Sequence, residues 1–105
     1  MMSDAVVVLG GAGLVGSLIS RILMQYGYDV RVVDRRSTEH ERGFNQIDVM
    51  CPFSNTEQIF KGAVAVVFAL PESVAIHAIP WVVSSVSKNV VFIPPALFRS
   101  RFTKH

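Results

Sequence analysis

Gly11-Ala12-Gly13-Leu14-Val15-Gly16 reads G-x-G-x-x-G. Glycines at this spacing suit a phosphate-bearing ligand. Gly11 permits a tight turn, Gly13 lets the backbone approach a pyrophosphate without a Cβ in the way, and Gly16 lets a helix pack closely on a strand. The N–H groups at the start of such a helix, with the positive end of its dipole, then face the phosphates. Asp34 lies 18 residues beyond the last glycine, close to the ~20 expected of an acid that accepts from ribose hydroxyls. Arg35 and Arg36 follow it. An arginine there can grip a 2′-phosphate or stack on adenine, whereas Asp34 would repel that phosphate. Together these residues point to a dinucleotide, NAD ahead of NADP. The candidate cofactor contacts here are Gly11, Ala12, Gly13, Leu14, Val15, Asp34 and Arg35.

Such a motif has meaning only between a strand and a helix, and the flanking sequence supplies both. Ala5 to Leu9 is a short apolar run rich in valine that ends at glycine, the pattern of a strand buried on both faces. Leu14, Leu18, Ile22 and Tyr26 recur every four residues, and Val15, Ile19 and Leu23 fill the adjacent row. This predicts a helix with one broad apolar stripe, Ser17, Ser20, Arg21 and Gln25 outside it, and Gly27 as its C-terminal cap. Tyr28 to Val33, ending at Asp34, is the second strand. A polar loop, Arg35 to Gly43, leads to a short strand over Phe44 to Val49. After Pro52, Ser54 or Asn55 can cap a short helix through Lys61 that Gly62 ends. Ala63 to Leu70 is the most hydrophobic strand, closed by Pro71. A helix is predicted over about Ser73 to Val86, kinked or broken at Pro80, since an interior proline costs about 3 kcal/mol. Asn89 to Ile93 is the last strand, stopped by Pro94 and Pro95, and residues 94–105 form a tail.

Strands alternating with helices imply an α/β fold, a doubly wound parallel sheet of the Rossmann type. Right-handed crossovers leave few arrangements, and the expected strand order is 3-2-1-4-5. The length of 105 residues allows one domain over 1–105. Half of the residues are hydrophobic and 17% are charged, against about a quarter charged in ordinary domains, which excludes intrinsic disorder. A net charge of +2 is too small to argue for nucleic acid. Residues 62–105 carry Lys88, Arg99, Arg101 and Lys104 against Glu72 alone, yet no interleaved stacking aromatics accompany them. Cys51 is the only cysteine, so no disulfide within the chain is possible, which fits a cytoplasmic location. His40, His77 and His105 lie far apart and no cysteine pair exists, so metal-ligand spacing is absent. No cationic leader or run of 18 apolar residues is present, and neither a signal peptide nor a transmembrane helix is expected.

Val6 to Asp34, VVVLGGAGLVGSLISRILMQYGYDVRVVD, with Val66 to Ile79, VVFALPESVAIHAI, resembles the N-terminal nucleotide-binding domain of the prephenate and arogenate dehydrogenases of tyrosine biosynthesis. The similarity runs through about residue 93. In those enzymes the turn after the fourth strand, here Ala69-Leu70-Pro71, lies against the cofactor, so the resemblance adds Leu70 and Pro71 as contacts. It implies an NAD(P)-dependent oxidoreductase whose catalytic histidine, substrate-binding part and helical domain would follow the fifth strand. No histidine matches the catalytic position, and His77 falls in the helix after the fourth strand. The chain therefore looks like the cofactor half of such an enzyme, inactive alone: a truncated product, an excised domain, or a split-enzyme subunit completed by a separate helical partner. A second echo is Gly10 to Ser17, GGAGLVGS, which looks like the opening of extended short-chain dehydrogenases and sugar epimerases. Their Tyr-x-x-x-Lys pair is absent, since Tyr26 and Tyr28 have Val30 and Val32 at that spacing. A non-enzymatic module that senses the dinucleotide or serves as an interaction partner is the alternative from another class. Val90 to Ile93 would form an apolar edge strand. With Trp81, Val82, Val83, Leu97, Phe98 and Phe102 nearby, a homodimer through the C-terminal strand and tail is expected.

Overall fold

Five consecutive aliphatic residues with no polar member cannot alternate between core and water, so they favour a strand covered on both sides. In the computed structural model, which describes residues 4–10, 13–34, 44–46, 56–86 and 91–93, this strand is β1 (Ala5–Leu9), and every residue of it is buried. The chain continues through α1 (Leu14–Gln25), β2 (Asp29–Asp34), β3 (Phe44–Gln46), α2 (Thr56–Phe60), β4 (Ala63–Phe68), α3 (Glu72–Ser85) and β5 (Val91–Ile93). The strands form one five-stranded sheet in the order β3-β2-β1-β4-β5, as the crossover argument requires. All four pairings are parallel.

The alternation of side chains divides the core. Val6 and Val8, with Val30, Val32 and Val67, face α1, where Ile19 and Leu23 pack on them. Val7 and Leu9, with Val33, Val66 and Phe68, face the other way and are covered by Ile59 and Phe60 of α2 and by Ala75, Ala78 and Val82 of α3. Phe60 meets Trp81 edge to face, with ring centroids 5.7 Å apart. Each fully buried valine or leucine contributes roughly 1.5–3 kcal/mol, so both faces of the sheet carry the fold.

Arg31 is the basic residue of β2, which begins and ends with Asp29 and Asp34. Its Nη1 donates to the carbonyls of Ile59 and Lys61 at 2.7 and 2.6 Å, and to that of Gln58 at 3.4 Å. A cation thus closes the carbonyl end of a helix only five residues long, where the dipole is negative. Asp29 accepts from Nη2 at 3.3 Å.

Two expectations need correction. The outer row of the predicted α1 stripe faces solvent: Leu14, Leu18, Ile22 and Tyr26 are exposed, while Gly16 and Ser20 are buried. The helix approaches the sheet through its smallest residues, and the Ser20 hydroxyl avoids burial without a partner by donating to the Gly16 carbonyl at 2.8 Å. Second, of the kink or break expected at Pro80 the break does not occur: α3 is one continuous helix from Glu72 to Ser85 with Pro80 inside it. Pro80 is exposed, so the Ile76 carbonyl that loses its N–H partner can turn to water. Boundaries shift elsewhere: β2 begins at Asp29, β4 ends at Phe68, and α3 begins at Glu72. Gly27 caps α1 as expected, with φ +90°. Its N–H donates to the Met24 carbonyl and that of Tyr28 to Leu23, the paired bonds of a Schellman motif. Ser54, Asn55 and the tail over 94–105 lie outside the described residues.

Candidate dinucleotide site

In a sheet ordered β3-β2-β1-β4-β5 the chain leaves β1 toward one edge and returns to β4 on its other side. Ligands of open α/β sheets bind where this reversal opens a crevice beyond the carboxyl ends of the strands, here above β1 and β4. The turn after β1 reaches that point. The Gly10 N–H extends the ladder by donating to the Val33 carbonyl at 2.7 Å, and the Gly13 N–H closes the turn on the Gly10 carbonyl at 3.1 Å.

Gly13 is the N-cap of α1, in extended conformation at φ −76° and ψ 175°, and supplies no side-chain hydrogen bond. The first helical bond runs from the Ser17 N–H to the Gly13 carbonyl, 2.8 Å. The N–H groups of Leu14, Val15 and Gly16 therefore have no acceptor within the helix, and no acidic residue stands in the first turn. This end of α1 keeps its positive character. By contrast, α3 carries Glu72 in its first turn, and that carboxylate offsets the same field. Of these two helix starts beside the crevice, α1 is the one with no acidic residue in its first turn. Leu14, 89% exposed, and the half-buried Val15 flank it.

The second turn closes against the first. The Ala69 N–H donates to the Leu9 carbonyl at 2.9 Å. Gly10 has φ +82°, and a Cβ built there would collide with the Ala69 carbonyl oxygen and lie 2.8 Å from Leu70 Cδ2. Leu70 is half-buried and Pro71 exposed, and Pro71 is the N-cap of α3. The turn glycine that the geometry demands among the described residues is thus Gly10, one position before the motif. A doubled glycine directly after the strand was the available signal.

Asp34 ends β2 and is 5% exposed. The alternation places it on the side of Val30 and Val32, the α1 side of the sheet. Its carboxylate is thus buried at the same sheet end as the glycine turn. Gly11, Ala12, Arg35 and Arg36 lie outside the described residues. His77 is exposed on α3. A cavity of about 450 Å³ lies at the other end of the sheet, between the last turns of α2 and α3 and lined by Phe60, Lys61, Gly62 and Ser85 among others. It is remote from the crevice. Among the described residues no group of three or more His, Cys, Asp or Glu could hold a metal ion, and no helix is long and apolar enough to cross a membrane.

The sequence model of the NAD dependent epimerase/dehydratase family matches residues 6–81. The chain belongs to this family. The match spans β1 to the middle of α3, and so takes in the glycine turn, Asp34 and the Leu70 turn together. An epimerase/dehydratase domain of this kind is an NAD(P)-binding, Rossmann-like domain, in agreement with the fold and with the uncapped start of α1. The finding corrects the order of the two resemblances. The family is that of the second resemblance, the epimerases, whereas of the first the match shows only the coarser part, an NAD(P)-binding Rossmann-like domain.

Proposed function

We propose that the chain binds NAD, with NADP as the weaker ligand, as the cofactor domain of an oxidoreductase-type protein. The observation that carries this reading is the start of α1: three N–H groups without helical acceptors, no side-chain cap and no acid, at the crevice between β1 and β4. In this reading Gly11, Ala12, Gly13, Leu14 and Val15 surround the pyrophosphate, Asp34 accepts from the ribose hydroxyls, and Leu70 and Pro71 border the cofactor from the second turn. Arg35 stacks on adenine. The cofactor supplies the hydride chemistry when bound; these residues bind and orient it.

A narrower version rests on the resemblance of the Ala69-Leu70-Pro71 turn alone: the domain works like the cofactor half of a prephenate dehydrogenase with a separate helical substrate domain in the cytoplasm. On that version no dehydrogenase activity is expected from the chain alone, since no residue matches the base that hydride transfer needs. Association of two copies through β5 and the tail accompanies it. A dinucleotide-sensing module would bind the same ligand and transfer no hydride with any partner, and co-purification with a helical substrate-binding protein separates the two.

Calorimetry with NAD tests the central claim. Gly13 has an extended backbone that valine adopts readily, so Gly13→Val is expected to fold and to lose binding. Equal affinity for wild type and variant would overturn the assignment.

A further inference from the structure

The two faces of the sheet are covered unequally. On one, α3 packs on Val66 and Phe68 of β4. On the other, α1 lies over β1 and β2. The register sets Val91 and Ile93 of β5 beside Ala65 and Val67 of β4, on this second face. Among the described residues no helix lies over β5 there: Val91 is 61% exposed and Ile93 is half-buried. A parallel sheet is covered on both faces, so this strip calls for a covering segment. The strip continues onto α1. Gly16 and Ser20 are the buried residues of that helix. A right-handed β1-α1-β2 crossover puts β2 on one side of α1 and β4 on the other. The right-handed turn of the helix then carries Leu18 and Ile22 to the β4 side and Met24 to the β2 side. Leu18 and Ile22 are 52 and 44% exposed. With Ala65, Val91 and Ile93 they line one apolar groove between α1 and β5.

We propose that residues 96–105 of the same chain occupy this groove, with Leu97, Phe98 and Phe102 against its walls. Connectivity selects them. Ile93 is one wall of the groove and the last described residue before them. Pro94 and Pro95 have no N–H to extend the ladder, so the chain leaves the sheet at the carboxyl end of the groove. Ten residues span about 15 Å as a helix and ~33 Å extended, against ~20 Å for the six residues of β4, and either form reaches along the groove. The phenylalanines offer about 150–250 Å² each for burial, while Arg99, Arg101 and Lys104 stay at the rim in water. A tethered segment acts at an effective concentration in the millimolar range, which a free partner of the same chemistry would have to exceed. The inference is independent of the dinucleotide reading. It takes the tail out of the association of two copies proposed above and leaves that contact the open edge of β5.

A double-mutant cycle in the full chain, without dinucleotide, tests the contact. Phe98→Ala is expected to lower the urea midpoint of the wild type and of Met24→Ala equally, and to lower that of Leu18→Ala with Ile22→Ala by less than half as much. Equal drops in all three backgrounds overturn the proposal. Should a variant fail to fold, a nitroxide on Thr103→Cys in a Cys51→Ser background decides. It is expected to broaden the methyl resonances of Ile22 and Val91 and to leave those of Ile76 and Val83, on α3, sharp. Broadening on α3 instead, or on neither face, overturns the proposal. Mixing nitroxide-bearing chains without isotope with isotope-labelled chains without nitroxide separates the source of the tail. Broadening of Ile22 and Val91 in that mixture shows the tail of a second copy in the groove, and also overturns it.

Discussion

Gly10→Ala tests the close contact between the two turns that frame the crevice, and Gly27→Ala supplies its control. Both glycines have positive φ, +82° and +90°, so alanine at either carries the left-handed strain of about 1–2 kcal/mol. Only the surroundings differ. Nothing lies within 4 Å of a Cβ at Gly27, whereas at Gly10 it would meet the Ala69 carbonyl oxygen and carbon and Leu70 Cδ2. Leu70 can swing aside; the Ala69 backbone cannot, because its N–H is tied to the Leu9 carbonyl at 2.9 Å. Overpacking against fixed atoms adds about 1–3 kcal/mol. Gly10→Ala is therefore expected to destabilise by about 2–5 kcal/mol and Gly27→Ala by about 1–2. Against a total of roughly 5–15 kcal/mol, the first falls near the limit of folding. Urea unfolding of wild type and both variants, with similar slopes, gives the two losses directly. Equal losses would refute the argument that the turns touch, and with it the placement of Leu70 beside the crevice.

Three further outcomes follow from the same structure. Asp34→Ala is expected to narrow the preference for NAD over NADP, since a hydrogen bond to a charged group is worth about 1.5–3 kcal/mol; tighter NADP binding by wild type would assign Arg35 to the 2′-phosphate instead. Arg31→Met is expected to destabilise by about 2 kcal/mol through the carbonyls it leaves at the end of α2, while Asp29→Asn changes urea unfolding by less than ~1 kcal/mol because that pair is solvent-exposed; similar losses in urea would contradict the helix-capping role. Ser20→Ala is expected to lower the urea midpoint slightly and Ser20→Leu by about 1–3 kcal/mol, because α1 meets the sheet there; tolerance of leucine would place Ser20 outside.

The parallel sheet and its strand order were legible because uninterrupted valine runs and the handedness of crossovers leave little choice. The start of α1 was legible for a related reason: glycine spacing is a backbone requirement, and backbone requirements survive without knowledge of neighbours. The rotation of α1 was not. Leu14, Leu18 and Ile22 are more hydrophobic than Gly16 and Ser20, and periodicity alone ranks them inward; the small residues win because two backbones approach there. The Arg31 cap was equally hidden, since it joins residues 27 to 30 apart in sequence by distance only. Gly10 was overlooked because the motif begins one residue later, although the demand for positive φ falls before it.

Among the described residues, β1 is both the first strand in sequence and the middle strand of the sheet. Leu9 pairs with Val33 on one side and with Phe68 on the other, and the second partner is made 59 residues later. At a synthesis rate of roughly 5–20 residues per second, the strand waits about 3–12 s with one ladder of N–H and C=O groups open and its aliphatic side chains half covered. During translation it is an edge, the form of strand most prone to pair with a neighbouring nascent chain. The arrangement that later seals β1 on every side thus makes the interval between the synthesis of β1 and that of β4 the one when a holdase has most to protect.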